Sequence, residues 1–264
     1  MQYISIIEQA SKEAIRVFAE KRNVSKYFTE DYVHPQEDYL IASEKLSTFV
    51  VSDGVTLNFK KLIEDKKSYP NPSPAGEVAK IFCEAVQKSV QEKYTDIKSE
   101  DIREVFREAN KVVGDYNNKI GKSDVCGNIT GFYSATGSFV IIRNNTAYWA
   151  SICDAFFAHF DRNMNIKFKS TGLCSPYAVV NGEDKMADYI EMGVVDIQDG
   201  DKLFVFTDGF EHYVKNFEFT ELFKDWSNDL ENRIKTFSER MNMIDPENYG
   251  HERSLIVINF EASA

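Results

Sequence analysis

Two short stretches of this chain follow one plan: an apolar, aromatic-rich run that stops abruptly at Ser/Thr-Asp-Gly. They are Thr48-Phe49-Val50-Val51-Ser52-Asp53-Gly54 and Lys202-Leu203-Phe204-Val205-Phe206-Thr207-Asp208-Gly209. β-Branched and aromatic residues favour a buried strand, and glycine permits the sharp turn that ends it. Each aspartate is thereby fixed at a rigid strand end, where a metal ligand is well placed. Taken singly, Asp-Gly is among the commonest turn dipeptides and most copies only reverse the chain. The surrounding pattern has to decide between the two readings.

Apolar positions Ile4, Ile7, Ala14, Ile15 and Phe18 predict an amphipathic helix over residues 3–22 that packs on the outside of the domain. Tyr39-Leu40-Ile41-Ala42, a polar turn at Ser43-Glu44-Lys45 and the first Asp-Gly run form a hairpin signature. Ser73-Pro74 opens a helix with a cap and a first-turn proline, and its apolar stripe runs from Val78 to Val90. A second stripe, Ile102 to Val113, predicts a partner helix. Four strand-like runs from Ser138 to Phe168, separated by short polar turns, suggest an antiparallel meander. After the second Asp-Gly run come a helix stripe from Leu222 to Phe237 and a closing strand from Ser254 to Phe260. Helices segregated from antiparallel strands imply an α+β fold.

With 31 basic and 42 acidic residues the net charge is −11, which argues against a general nucleic-acid or anionic-membrane binder. The excess carboxylates suit hard divalent cations, although most serve as a solvated surface. The four cysteines, Cys83, Cys126, Cys153 and Cys174, form no Cys-x-x-Cys pair, so neither a zinc site nor a disulfide framework is indicated and reduced thiols are expected. The N-terminus lacks a basic, then apolar, signal pattern and no stretch reaches the length of a membrane span. A soluble, cytoplasmic protein is the expectation.

A third acidic cluster, Gln36-Glu37-Asp38, precedes the strand that would pair with the one ending at Asp53. An antiparallel hairpin can set Glu37, Asp38 and Asp53 at one sheet end, and a central strand ending at Asp208 can add a fourth carboxylate. With Asp53-Gly54-Val55-Thr56, Ala135-Thr136-Gly137, Cys153-Asp154, Thr207-Asp208-Gly209 and His251-Glu252-Arg253-Ser254 in this order, the chain resembles the metal-dependent protein phosphatases of type 2C, as a divergent bacterial-type member. The resemblance spans about residues 30–260.

The resemblance implies a four-layer α-β-β-α sandwich with two central antiparallel sheets, forming a single phosphatase-like domain over residues 1–264 with 1–25 as an N-terminal helix packed on it. It also implies two divalent cations, Mn²⁺ or Mg²⁺, that clamp a phosphate ester and activate a water for in-line attack. By the same resemblance Asp53 bridges both ions, Gly54 lends its carbonyl, Asp208 and position 251 complete one shell, Glu37 and Asp38 act through bound waters, and Asp154 helps to hold a further ion. The implied partner is a phosphorylated protein substrate.

Three positions depart from the family pattern. His251 stands where the terminal metal aspartate is expected, with Glu252 one residue away; imidazole suits Mn²⁺ better than Mg²⁺. Val33 replaces a phosphate-binding arginine, and His212 replaces an aspartate after Asp208. Three functional classes stay open: a metal-dependent serine/threonine protein phosphatase, a pseudophosphatase that binds phosphoproteins without hydrolysing them, and a metal hydrolase of small phosphate esters.

Overall fold

The Asp-Gly runs carry consecutive apolar residues, Phe49–Val51 and Leu203–Phe206, because both faces of their strands are covered. A computed structural model describes residues 1–28, 32–126 and 128–260. In chain order the elements are β1 (Gln2–Glu8), α1 (Lys12–Arg22), β2 (Asp38–Ser43), β3 (Thr48–Asp53), α2 (Phe59–Glu64), α3 (Pro74–Glu92) and α4 (Ile102–Ile120). There follow β4 (Gly137–Arg143), β5 (Thr146–Ile152), β6 (Phe156–Phe160), β7 (Ile166–Lys169), β8 (Glu191–Asp196) and β9 (Lys202–Phe206). The chain continues through α5 (Glu211–Lys215), α6 (Phe217–Glu221), α7 (Leu230–Ile244), α8 (Pro246–Tyr249) and β10 (Arg253–Asn259).

The strands make two antiparallel five-stranded sheets, ordered β1-β10-β9-β6-β7 and β2-β3-β4-β5-β8. Successive strand residues point to opposite faces, so each strand feeds two cores. Phe49 and Val51 of β3 meet Leu203 and Val205 of β9 and Ile256 and Ile258 of β10 in the layer between the sheets. Val50 instead packs on α3 and α4 through Val78, Phe82 and Phe106. On the far side Phe204, Phe206, Leu255 and Val257 pack under Tyr213, Phe219, Ile234 and Phe237 of α5, α6 and α7. Each such side chain removed from water stabilises the fold by about 2 kcal/mol. The result is the four-layer α-β-β-α sandwich.

Several local expectations are corrected. Residues 2–8 form strand β1, paired with β10 from Gln2↔Asn259 to Glu8↔Arg253, and only Lys12–Arg22 is helical. Ile4 and Ile6 point inward in alternation, a period of two hidden among otherwise helix-like spacings, and Ser11 supplies the cap where the helix begins. The expected meander is divided: β4 and β5 belong to one sheet, β6 and β7 to the other, and the chain crosses between sheets at Cys153–Ala155. The stripe from Leu222 to Phe237 is broken, with a 3-10 turn at Leu222–Lys224 before α7 starts at Leu230. β8 carries Glu191, Gly193 and Asp196 and gave no strand signal. Cys153 and Cys174 are joined in a disulfide rather than reduced, while Cys83 and Cys126 are free and buried. Their separation of 21 residues carries no pairing signal, because only the tertiary fold brings them together. Among the described residues no helix is long and apolar enough to cross a membrane.

Candidate metal centre

The β2–β3 hairpin sets Asp38 directly opposite Asp53. The charge of Asp38 is among those that act on Asp53. Thr207, at the end of β9 in the other sheet, donates its hydroxyl to Asp38 Oδ2 at 2.8 Å and receives the Ser254 amide at 2.9 Å. Asp208 follows Thr207, so the two sheets meet at the ends that carry the acidic residues. Glu252, just before β10, completes the junction: its Oε1 accepts from the Asp38 amide at 2.5 Å, from Gln36 Nε2 at 2.5 Å and from the Glu37 amide.

Close backbone approach fixes the first Asp-Gly end. A Cβ at Gly54 would stand 2.5 Å from the Ala75 carbonyl carbon, and one at Gly76 would stand 2.7 Å from the Gln36 carbonyl oxygen. The start of α3 is therefore seated directly on both acidic segments, and glycine is what permits it. Thr136 donates its amide to the Asp53 carbonyl at 2.7 Å, and Ala135 bridges Gly54 to Val180.

The electrostatics are those of carboxylates crowded without enough cations. Burial pushes the Asp38 carboxyl up to about 6, against the opposing hydrogen bond from Thr207. Burial, then the charges of Asp38, Asp208, Glu252 and Asp154, hold Asp53 well above the usual carboxylate range. Glu252 is pushed up to about 8 by burial and by Asp38. Asp208 also rises to about 8, through lost hydration and the charges of Asp154 and Asp38, but its side chain opens to solvent on one side and water screens part of this. Asp154 is raised by burial and by Glu211, which is itself paired with Lys169 at 3.2 Å and Lys215 at 2.9 Å. Asp38 Oδ1 is buried with no hydrogen-bond partner. An all-oxygen donor set with an orphaned buried acceptor and mutually raised acids fits hard divalent cations. Among the described residues no three of these carboxylates bring an oxygen within 4.8 Å of one another, so they bracket a space rather than close on a point.

Of the residues singled out in the sequence, Asp38, Asp53, Asp154 and Asp208 are brought together, with Gly54 beside Asp53. Glu37 is not with them. It lies just before β2 and faces the other way, into a pocket where its Oε1 accepts from the Tyr69 hydroxyl at 2.7 Å and from Ser73, and its Oε2 from Thr56 at 3.1 Å. His34 Nε2 lies 3.0 Å from the same Oε2. His251 is also apart: the groups that act on its imidazole are Glu247, Arg253 and His212. Glu252 is the residue of that segment whose charge reaches Asp38, Glu37 and Asp53. His212 is exposed on α5 near Tyr249, and Val33 is 60% exposed. Of the partners of Glu37, Ser73 was legible as the cap of α3 and Thr56 as part of the Asp-Gly turn, but nothing in the sequence tied them to Glu37.

A family model described as protein phosphatase 2C matches residues 25–244. Among solved structures, a bacterial serine phosphatase variant shares 13% identity at a TM-score of 0.64, with 99% of each chain covered. The catalytic domain of the serine/threonine phosphatase PstP of Mycobacterium tuberculosis, in complex with two manganese ions, shares 10% identity at a TM-score of 0.61, covering 98% of this chain and 96% of that one. RsbX in complex with magnesium shares 11% identity at a TM-score of 0.55, covering 98% and 94%. Identities this low establish a common fold. No curated protein sequence matches the chain.

Proposed function

Because the chain belongs to the protein phosphatase 2C family, we propose that it hydrolyses phosphoserine or phosphothreonine in a protein substrate with a pair of divalent cations, Mn²⁺ or Mg²⁺. The observation that carries this reading is the convergence of Asp38, Asp53, Asp208 and Glu252 from both sheets, each with a raised pKa. Asp53 would be the central ligand, since Asp38, Asp208, Glu252 and Asp154 all act on it, with the Gly54 carbonyl next in the chain. Asp208 would serve from the solvent-facing rim, Asp154 would help to hold a further ion, and Glu252 would take the role the family pattern gives to position 251. The spread of these groups suits two ions rather than one. Such ions supply Lewis-acid activation of the phosphate and of an attacking water. Asp38 and Glu252 hold the acidic strand ends together through Thr207 and the backbone amides. Glu37 acts as a positioning residue by anchoring Thr56, Ser73 and Tyr69 around the same turn.

The test is hydrolysis of a phosphoserine peptide with Mn²⁺ by the wild type and by Asp53→Asn. The variant should lose about a thousandfold in kcat/KM, ~4 kcal/mol of transition-state stabilisation. Equal rates in the two proteins would sink the reading. The exposed Val33, in place of an arginine, favours one alternative, a module that binds phosphoproteins without turnover. That alternative predicts phosphopeptide binding by the wild type with no phosphate released.

A further inference from the structure

The turn that carries Asp154 is also the point where the chain leaves one sheet for the other, and it is covalently tied. Cys153, buried and held at a left-handed φ of 57°, is bonded to Cys174, with Cα atoms 4.4 Å apart. Both sulfurs and an Asp154 carboxylate oxygen lie within 4.8 Å of one another. Cys174 belongs to the segment after β7. That segment is held at one end by Thr171 and Gly172, which donate to Glu191 at 2.8 and 3.1 Å, and at the other by the Val180–Ala135 bridge. Between these anchors residues 173–177 lie on the outside, with Leu173 64% exposed, and the disulfide joins them to the Asp154 turn.

We infer that the Cys153–Cys174 disulfide is a reversible redox modification site through which a dithiol reductant loosens the Asp154 side of the carboxylate cluster. The two residues differ in access, Cys174 being exposed and Cys153 buried. A thiolate of the reductant attacks Cys174 Sγ, forming a mixed disulfide and releasing Cys153 as a thiolate that takes up a proton. The reductant's second thiol then attacks its own sulfur in the mixed disulfide, releasing Cys174 and leaving the reductant oxidised. Two electrons and two protons pass from the dithiol to the cysteine pair. Solvent-exposed disulfides are the labile ones. With the tie cut, the left-handed turn at Cys153 loses its covalent restraint and Asp154, whose charge reaches Asp208 and Asp53, is no longer pinned. In its effect on the carboxylates the inference rests on the metal reading above; the thiol exchange itself does not.

The experiment uses the full chain in dithiol/disulfide buffers of graded poise, with thiol alkylation after denaturation, limited chymotrypsin digestion and Mn²⁺ titration calorimetry. The oxidised protein should show only the Cys83 and Cys126 thiols, and the reduced protein those two with Cys153 and Cys174. Reduction should open the 173–177 segment to cleavage and weaken Mn²⁺ binding about tenfold. Cys174→Ala should bind Mn²⁺ as the reduced wild type does and ignore the buffer. All cysteines alkylating under oxidising buffer, or reduction leaving both cleavage and Mn²⁺ affinity unchanged, would overturn the inference. Cleavage that follows the buffer with no Mn²⁺ binding in either state would uphold the exchange and overturn the metal reading instead.

Discussion

Glu37 and Asp38 are neighbours in sequence and both are buried, yet their carboxyls meet very different supplies of hydrogen-bond donors. Glu37 has a hydroxyl or imidazole for nearly every lone pair, from Tyr69, Ser73, Thr56 and His34. Asp38 faces Asp53 and Glu252 and keeps one buried oxygen with no donor at all. The two side chains leave the start of β2 toward different sides, so one step in sequence separates a fully hydrogen-bonded anchor from a donor-poor carboxylate. A buried carboxylate is not in itself a sign of metal chemistry; the sign is the shortage of donors around it.

The strongest way to break this contrast is Glu37→Ala. It leaves several buried donors without an acceptor and should cost about 3 kcal/mol in urea unfolding. Asp53→Asn, on the donor-poor side, should leave the chelated protein as stable as the wild type or more so. A comparable loss in both variants would erase the distinction.

The next effect is a pH dependence of the chelated protein. Asp38, Glu252 and Asp208 titrate in the fold at about 6, 8 and 8, against about 4 for ordinary carboxyls. The folded state therefore holds protons that the unfolded chain releases. The associated stability is present in full below about pH 4 and is lost as pH rises through 6 to 8. With allowance for solvent at Asp208, the expected slope is about 1 kcal/mol per pH unit, falling toward alkaline pH, and saturating Mn²⁺ should flatten it. Stability that rises over this window in chelator would contradict the crowding of the cluster.

The smallest effect sharpens the comparison just before β10. His251→Ala should change Mn²⁺ affinity less than about twofold, ~0.4 kcal/mol, while Glu252→Gln should weaken it about tenfold. A tenfold loss in His251→Ala would return the ligand role to the imidazole.

Much of the frame was legible because burial on both strand faces leaves uninterrupted apolar runs, as in Thr48–Val51 and Leu203–Phe206, and because Ser73-Pro74 and the stripes of α3 and α4 follow ordinary helix signals. β1 was misread, since Ile4, Ile7 and Phe18 fall at spacings that a helix also satisfies. Within the site, the opposition of Asp38 and Asp53 follows from hairpin geometry and was anticipated. The cage of Glu37 was not, because its donors at positions 34, 56, 69 and 73 come from segments that meet only in three dimensions. Glu252 and His251 differ by one residue of register, and the docking of Gln36 and Asp38 onto Glu252 is a tertiary fact.

The hydrogen bond from Thr207 to Asp38 joins one sheet to the other at the acidic end. Asp38 and Asp53 come from one sheet, Asp208 and Glu252 from its partner, so neither half of the sandwich owns the centre. Assembly of the cluster and closure of the two layers are consequently one event, since a separated sheet carries only two of these four carboxylates. A cation held by all four would add its binding energy to whatever keeps the two layers together.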